Sequence, residues 1–181
     1  MLLRALAEPN RRDDLDRSER RASEGKVLRV GVAENARTDA QVARVFAAAV
    51  EALRGLGHHI VTTSAPFDIP GFDDLRTIEV DRQNISDRAF RDIDALALPT
   101  LPGSVLDVDQ ARGNQRALSP AFTIFANYFG LPAISVPCGF DDHGLPVGLQ
   151  FVGKPWDDAV VLRLADQFMV ANPFAQRHPL P

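Results

Sequence analysis

The apolar residues of the chain follow two patterns, short continuous runs and longer stretches with a spacing of three and four. Continuous runs at Val27–Val32, His59–Thr63 and Asp94–Leu98 are typical of buried strands. Between the first two runs the spacing is helical, at Val42, Val45, Phe46, Ala49, Leu53 and Leu56. Thr38 and Gln41 just before this stretch have the spacing of a capping box. This part of the chain predicts a strand–helix–strand unit with a right-handed crossover.

The second half of the chain predicts a helix followed by a wide antiparallel hairpin. Pro120–Phe129 has helical spacing of its aromatic residues, with Ser119 as the N-cap and Gly130 as the stop. Two short apolar runs, Ala133–Pro137 and Val147–Val152, are separated by a polar turn with glycine and proline around it. Two such runs are expected to pair with each other.

The remaining segments have weaker patterns. Residues 67–91 are only loosely helical, and residues 105–118 are polar and predicted to form an irregular loop. Residues 158–170 have one apolar face and predict a last helix, and residues 173–181 predict an extended tail. Strands that alternate with helices predict an α/β layered domain, with helices flanking a mixed, mostly parallel β-sheet of about five strands.

Two segments of different character are expected. Residues 1–26 are rich in both arginine and acidic residues, and we predict that this charged N-terminal segment is poorly ordered or docked on a partner. Residues 27–181 are predicted to form a single α/β domain.

The composition of the chain indicates which kinds of partner and which cellular compartment are expected. The 181 residues are 45% hydrophobic and 24% charged, which is ordinary for a soluble globular domain. The net charge of −4 disfavours a nucleic-acid partner or an anionic membrane, because such binding needs a concentrated basic surface. Cys138 is the single cysteine, which excludes an internal disulfide and fits a reducing compartment. With no apolar run of membrane-spanning length, the sequence predicts a cytoplasmic protein.

A pattern in fixed register occupies the last third of the chain. It consists of Asn127-x-x-Gly130-x-Pro132-Ala133-x-Ser135-x-Pro137-x-Gly139, and then Gly144-x-Pro146-x-Gly148-x-Gln150. This pattern resembles the C-terminal part of the amidase signature family, and the upstream strands match that family's order of elements more weakly. The resemblance implies hydrolysis of amide C–N bonds through a Ser-Ser-Lys triad.

The catalytic residues that the resemblance would bring have no counterpart in this chain. Family members carry a lysine, a serine in a cis peptide and a nucleophilic serine in a glycine-rich loop, all before the part that is similar here. The two lysines, Lys26 and Lys154, flank the strands, and no serine lies in a glycine-rich turn. Where glutamine-using members have an aspartate that holds the substrate's amino group, this chain has Pro120. The resemblance therefore argues against glutamine as the substrate.

Two main functions stay open on these grounds, and a third, less favoured one is an unrelated small hydrolase that uses Cys138. The chain is either the C-terminal part of an amidase-type hydrolase, inactive alone, or a truncated non-catalytic relative that serves as a small binding or dimerising domain. The expected partners are the missing N-terminal amidase half or a second copy of the chain. A small amide would be the substrate only in the complete enzyme. No cofactor, metal, nucleic acid or membrane is implied.

Three residues are the candidates for substrate binding. Thr100 ends a buried strand, Asn127 lies in an aromatic helix, and Gln150 lies in a strand. The alternative for each is a structural hydrogen bond, which is the commoner fate of a buried polar group. Ser135 lies in mid-strand rather than on a nucleophile elbow, and Cys138 lacks the signature of a thiol hydrolase, so a packing role is expected for both.

Overall fold

The computed structural model describes residues 27–69, 75–106, 108–112 and 119–174. The predictions for residues 1–26, for residues 107 and 113–118 of the expected loop and for the tail from residue 175 lie outside the described residues. In the described part of the chain no helix is long and apolar enough to cross a membrane.

In the part of the chain that the structure describes, five strands form one sheet, and their positions follow the predicted apolar runs. The strands are β1 (Arg29–Ala33), β2 (His59–Thr63), β3 (Ala95–Pro99), β4 (Ala133–Phe140) and β5 (Pro146–Gly153). Their order in the sheet is β2-β1-β3-β5-β4, with β1 parallel to both β2 and β3, and β5 antiparallel to both β3 and β4. The predicted mixed α/β sheet is therefore confirmed. Two of the four strand pairs are parallel, so parallel pairing is half of the sheet instead of most of it. Strand β5 of the terminal hairpin takes part in both antiparallel pairs.

The helices lie on both faces of this sheet. They are α1 (Ala40–Gly55), α2 (Ile78–Ala89), the single turn α3 (Val108–Ala111), α4 (Ile124–Phe129) and α5 (Asp158–Ala171). Short 3₁₀ turns at Leu75–Thr77 and Pro120–Phe122 precede α2 and α4. Gly130 ends α4 in the left-handed region at φ 65°, where glycine has no steric penalty, so the chain turns directly into β4.

The N-cap of α1 differs from the prediction. Asp39, not Thr38, caps the helix, and its carboxylate accepts a hydrogen bond from Val42 N. Gln41 does not complete a capping box, since its side-chain oxygen accepts a hydrogen bond from Asp142 N in the turn between β4 and β5. Both Thr and Asp are good N-caps, and the tertiary contacts of Asp39 decide between them.

Two apolar clusters hold the layers together. Val30, Leu53, Phe151 and Phe168, each 0% exposed, lie in the cluster beneath α1 and α5. The opposite face carries a second cluster, in which α2 and α4 cover the sheet. The helices contribute Ile85, Phe125 and Phe129, and the strands contribute Leu98 and Val152. Each large apolar side chain that is fully buried in this way favours the folded state by about 1.5–3 kcal/mol. The strands that carry the candidate residues are thus fixed from both sides.

Strand β4 is the edge of the sheet among the described strands, and its register fixes which backbone groups face outward. Gly153 N donates to Pro132 O at 2.9 Å, so Pro132 faces β5 with its hydrogen-bonding groups. Because alternate residues of an antiparallel strand face the same side, Ile134 also faces β5, whereas Ala133 and Ser135 direct their N–H and C=O groups away from the sheet.

Candidate functional site

A pair of hydroxyl groups spans strand β5, which lies between β3 and β4. Thr100 Oγ1 at the end of β3 lies 2.6 Å from Ser135 Oγ on β4, and strand β5 runs between the two. Gly148 is the residue of β5 beneath them, and a Cβ there would lie 2.6 Å from Thr100 Oγ1 and 3.0 Å from Ser135 Oγ. The missing side chain at Gly148 is what lets two residues from non-adjacent strands meet.

The hydroxyl pair lines a cavity of about 170 Å³ at this end of the sheet. The loop that follows β3 forms one side with Gly103, Ser104 and Val105, and the start of β5 forms another. No charged side chain lies among the described residues that line it. Ser135 is exposed and Thr100 is partly exposed, so the cavity opens to solvent.

The loop over this cavity is held by Asp39. Its second carboxylate oxygen accepts a hydrogen bond from Ser104 N at 2.9 Å, and its backbone N–H donates to Pro102 O at 2.9 Å. The N–H of Val42, with smaller contributions from Ser104, lowers the pKa of the Asp39 carboxyl group against the opposing effect of burial. The N-terminus of α1 therefore fixes the exit loop of β3, and a wider groove of about 590 Å³ lies between this loop and the turn at His143–Leu145.

Gln150 lies on the same face of the sheet as Ser135 but has a structural partner. Its side-chain nitrogen donates to Phe122 O at 2.8 Å, and the residue is 4% exposed. This hydrogen bond joins β5 to the 3₁₀ turn that precedes α4. The geometry matches the structural alternative that the sequence left open for this residue.

Asn127 is an exposed residue of α4. Its side chain makes no hydrogen bond to the described part of the chain, whereas its backbone oxygen accepts from Gly130 N. Neither Asn127 nor Gln150 lines the cavity around Thr100 and Ser135. Of the three predicted binding residues, Thr100 is the one that lines this cavity in the described part of the chain, and no local sequence signal indicates that Ser135 joins it.

Within the described ranges, neither of the two residues considered as nucleophiles is bonded to an activating base. In the described residues the Ser135 hydroxyl is bonded to the Thr100 hydroxyl and to no lysine, histidine or carboxylate. The thiol of Cys138 is buried and donates to Val147 O, and burial raises its pKa to about 12. A thiolate is the reactive form, so Cys138 is unsuited to nucleophilic attack at neutral pH.

The histidines that the structure describes do not form a metal site. His58 is 6% exposed and accepts a hydrogen bond at Nδ1 from Leu28 N, while the neighbouring His59 is exposed. The described residues contain no group of three His, Cys, Asp or Glu side chains that could hold a metal ion.

The chain matches a known family over much of the part just described. A family model described as Amidase matches residues 72–162, about half of the chain. The A subunit of glutamyl-tRNA(Gln) amidotransferase from Thermodesulfovibrio yellowstonii is 41% identical over 100 residues, which cover 54% of this chain and 21% of that protein. The chain spans about a fifth of the length of the curated relatives it matches.

Solved structures of amidase-type proteins share the fold. The A subunit of glutamyl-tRNA(Gln) amidotransferase from Thermotoga maritima superposes with a TM-score of 0.63 and 25% identity, covering 80% of this chain and 42% of that one. The allophanate hydrolase of Kluyveromyces lactis has a TM-score of 0.63 at 22% identity and covers 85% of this chain and 35% of that one. Both are similar in the arrangement of the sheet and its helices. Because the family model spans half of the chain, including the hydroxyl pair, the hairpin and helices α2 to α4, the chain belongs to the amidase signature family, whose members have α/β folds.

Proposed function

We propose that the chain is the C-terminal part of an amidase-type hydrolase whose nucleophile and base lie on sequence outside it. The observation that carries this proposal is the environment of Ser135, whose hydroxyl is bonded to another hydroxyl instead of a base. A serine needs an adjacent base or a lowered pKa to attack an amide. The family membership supports amide C–N hydrolysis as the reaction of the complete enzyme.

The edge of β4 is the surface to which we assign the catalytic portion. Among the described residues, Ala133 and Ser135 present unpaired backbone N–H and C=O groups there, and Pro137, the next residue that faces outward, has no N–H to donate. An exposed edge of this kind accepts a further strand. A strand added to β4 would bring its own residues next to the Thr100 and Ser135 hydroxyls, at the cavity described above.

The test is an amidase assay of the purified chain on short aliphatic amides, alone and after mixing with the separately produced N-terminal portion of a related amidase. The chain alone is expected to be inactive, and the mixture active. The matched variant is Ala133→Lys, which places a charge on the exposed edge without removing a core contact, and it is expected to abolish the gain. Turnover by the chain alone that disappears in Ser135→Ala would show that the nucleophile lies in this chain and would refute the proposal.

A second candidate function is a non-catalytic domain that dimerises through the same edge. The free stretch of β4 favours it, since Ser135 of two copies could face each other in an antiparallel pair. Sedimentation analysis separates the two candidates. A dimer that Ala133→Lys converts to a monomer supports the binding domain, and a monomer at every concentration counts against it.

Glutamine is not proposed as the substrate, although the matched relatives carry the name of a glutamyl-tRNA(Gln) amidotransferase. Pro120 begins the 3₁₀ turn before α4, where the resemblance places an aspartate in glutamine-using members. A proline offers no charge to an amino group. We therefore propose a small uncharged amide as the substrate of the complete enzyme.

A further inference from the structure

The two hydroxyl groups of Thr100 and Ser135 have bonding capacity that the chain leaves unused. Each hydroxyl has one proton to donate, and the hydrogen bond between the two oxygens uses only one of the two protons. In the described residues neither hydroxyl has a second partner. The pair therefore presents to the cavity one free donor and free acceptor lone pairs, on oxygens that are 2.6 Å apart.

The surroundings of the pair select the kind of group that would bind it. The described lining of the cavity is uncharged, and the carboxylate of Asp39, which holds the loop over the cavity, is occupied by the N–H groups of Val42 and Ser104. A carboxylate ligand would find no cation there, and a ketone would leave the acceptor side of the pair unpaired. A primary amide carries an acceptor oxygen and a donor nitrogen on one carbon, so it can bond to both hydroxyls at once.

We propose that the Thr100–Ser135 hydroxyl pair is a binding site for the primary amide group of a small ligand. The free hydroxyl proton donates to the amide oxygen, and the amide N–H₂ donates to a lone pair of the other hydroxyl. The cavity of about 170 Å³ is smaller than the roughly 300–1,000 Å³ of most small-molecule pockets, so it takes the amide and a short alkyl group. The choice of an amide rests on the proposed function, but the binding itself needs no catalytic residue.

The test is a titration of the isotope-labelled chain with propionamide, followed by NMR at the backbone amides of Ser135 and Gly148. Saturable shifts are expected at both positions. Butan-2-one has the same number of heavy atoms but lacks the N–H₂ donor, and it is expected to bind about five- to tenfold more weakly, as for the loss of one hydrogen bond. If the two ligands bound equally well, the proposal that a hydroxyl oxygen accepts a hydrogen bond from the amide N–H₂ would be refuted.

Three variants locate the site. Ser135→Ala and Thr100→Val each remove one hydroxyl and are expected to weaken propionamide binding by about five- to tenfold or more. Thr62→Val is the matched control, because Thr62 is an exposed hydroxyl residue on β2, at the other end of the sheet from β4, and this variant is expected to bind as the wild type does. The spectra also report whether each variant is folded.

The proposal is refuted if the wild-type chain shows no saturable shift, or if both folded hydroxyl variants bind propionamide unchanged. Either result leaves the proposed hydrolase function standing, since that function is tested by mixing with the catalytic portion. Conversely, a chain that binds propionamide but gains no activity on mixing supports the site and counts against the hydrolase.

Discussion

Thr100 and Ser135 are separated by 35 residues and a whole strand, yet their side-chain oxygens lie 2.6 Å apart. They meet because β5 has a glycine at the crossing point and because Thr100 N also donates to Gly148 O at 2.9 Å, which fixes the end of β3 against β5. The hydroxyl pair thus connects β3 and β4 across β5. It depends on the register of three strands at once.

Gly148→Ala is predicted to destabilise the chain. The added methyl would lie 2.6 Å from Thr100 Oγ1 and 3.0 Å from Thr100 Cβ, which is closer than carbon and oxygen atoms pack. Overpacking of this kind costs about 1–3 kcal/mol in the free energy of unfolding. Urea denaturation followed by circular dichroism measures the change.

The cost of Gly148→Ala should fall when the atoms that it meets are removed. In the Thr100→Ala background the closest contact, Oγ1, is absent, so the penalty is expected to shrink. Gly55→Ala is the control, because no atom lies within 4 Å of a Cβ there and alanine is favoured in a helix. An undiminished penalty in the Thr100→Ala background would show that the hydroxyl pair is not what requires the glycine.

Asp39→Ala is predicted to cost about 1–2 kcal/mol of stability, since it removes the N-cap of α1. It also frees Ser104 N, which anchors the exit loop of β3 to the helix. Because the pKa of Asp39 is lowered in the folded chain, its contribution is present above the unfolded pKa of about 3.9 and is lost as the pH falls through the folded value.

Thr38→Ala is the control that decides between the two possible caps. Since Asp39 caps the helix, Thr38→Ala is expected to change stability by no more than about 0.5 kcal/mol. Thermal or urea denaturation of both variants gives the comparison. If Thr38→Ala lowered the free energy of unfolding more than Asp39→Ala does, Thr38 would be the N-cap, as the sequence predicts.

The elements that sequence analysis located well are those with strong local signals. The proline and glycine residues around β4 and β5 mark the ends of the hairpin, and the spacing of Val42, Leu53 and their neighbours is helical without ambiguity. The cap of α1 was predicted wrongly because Thr38 and Asp39 are both good caps, and the choice rests on Ser104, far away in sequence. The hydroxyl pair could not be predicted, since nothing local to Ser135 indicates which residue faces it across Gly148.

Cys138 is predicted to react very slowly with iodoacetamide in the folded chain. With a pKa of about 12, roughly one thiol in 10,000 is ionised at pH 8, and the sulfur is buried against Val147 O. Labelling in urea, where the thiol is exposed, should be faster by orders of magnitude. Mass spectrometry gives both rates, because Cys138 is the only cysteine of the chain. Rapid labelling of the native chain would mean that the thiol is accessible and would reopen a role in nucleophilic chemistry.

His58 is predicted to make the stability of the chain fall in mild acid. Burial and the nearby charge of Arg163 lower its pKa, with the Gln167 side chain acting in the opposite direction, and Nδ1 must stay unprotonated to accept from Leu28 N. A group whose folded pKa lies below the unfolded value of about 6.5 takes up a proton more readily when the chain unfolds. The free energy of unfolding should therefore be level above that value and decrease as the pH is lowered through it toward the folded pKa.

Urea denaturation at a series of pH values between about 7.5 and 5 measures this decrease, over a window set by the unfolded pKa. His58→Gln should flatten the dependence whatever its effect at neutral pH, because it removes the group that takes up the proton. His59→Gln changes the exposed neighbour and is expected to keep the wild-type slope. If the two variants had the same slope as the wild type, the acid sensitivity would have to come from a group other than His58.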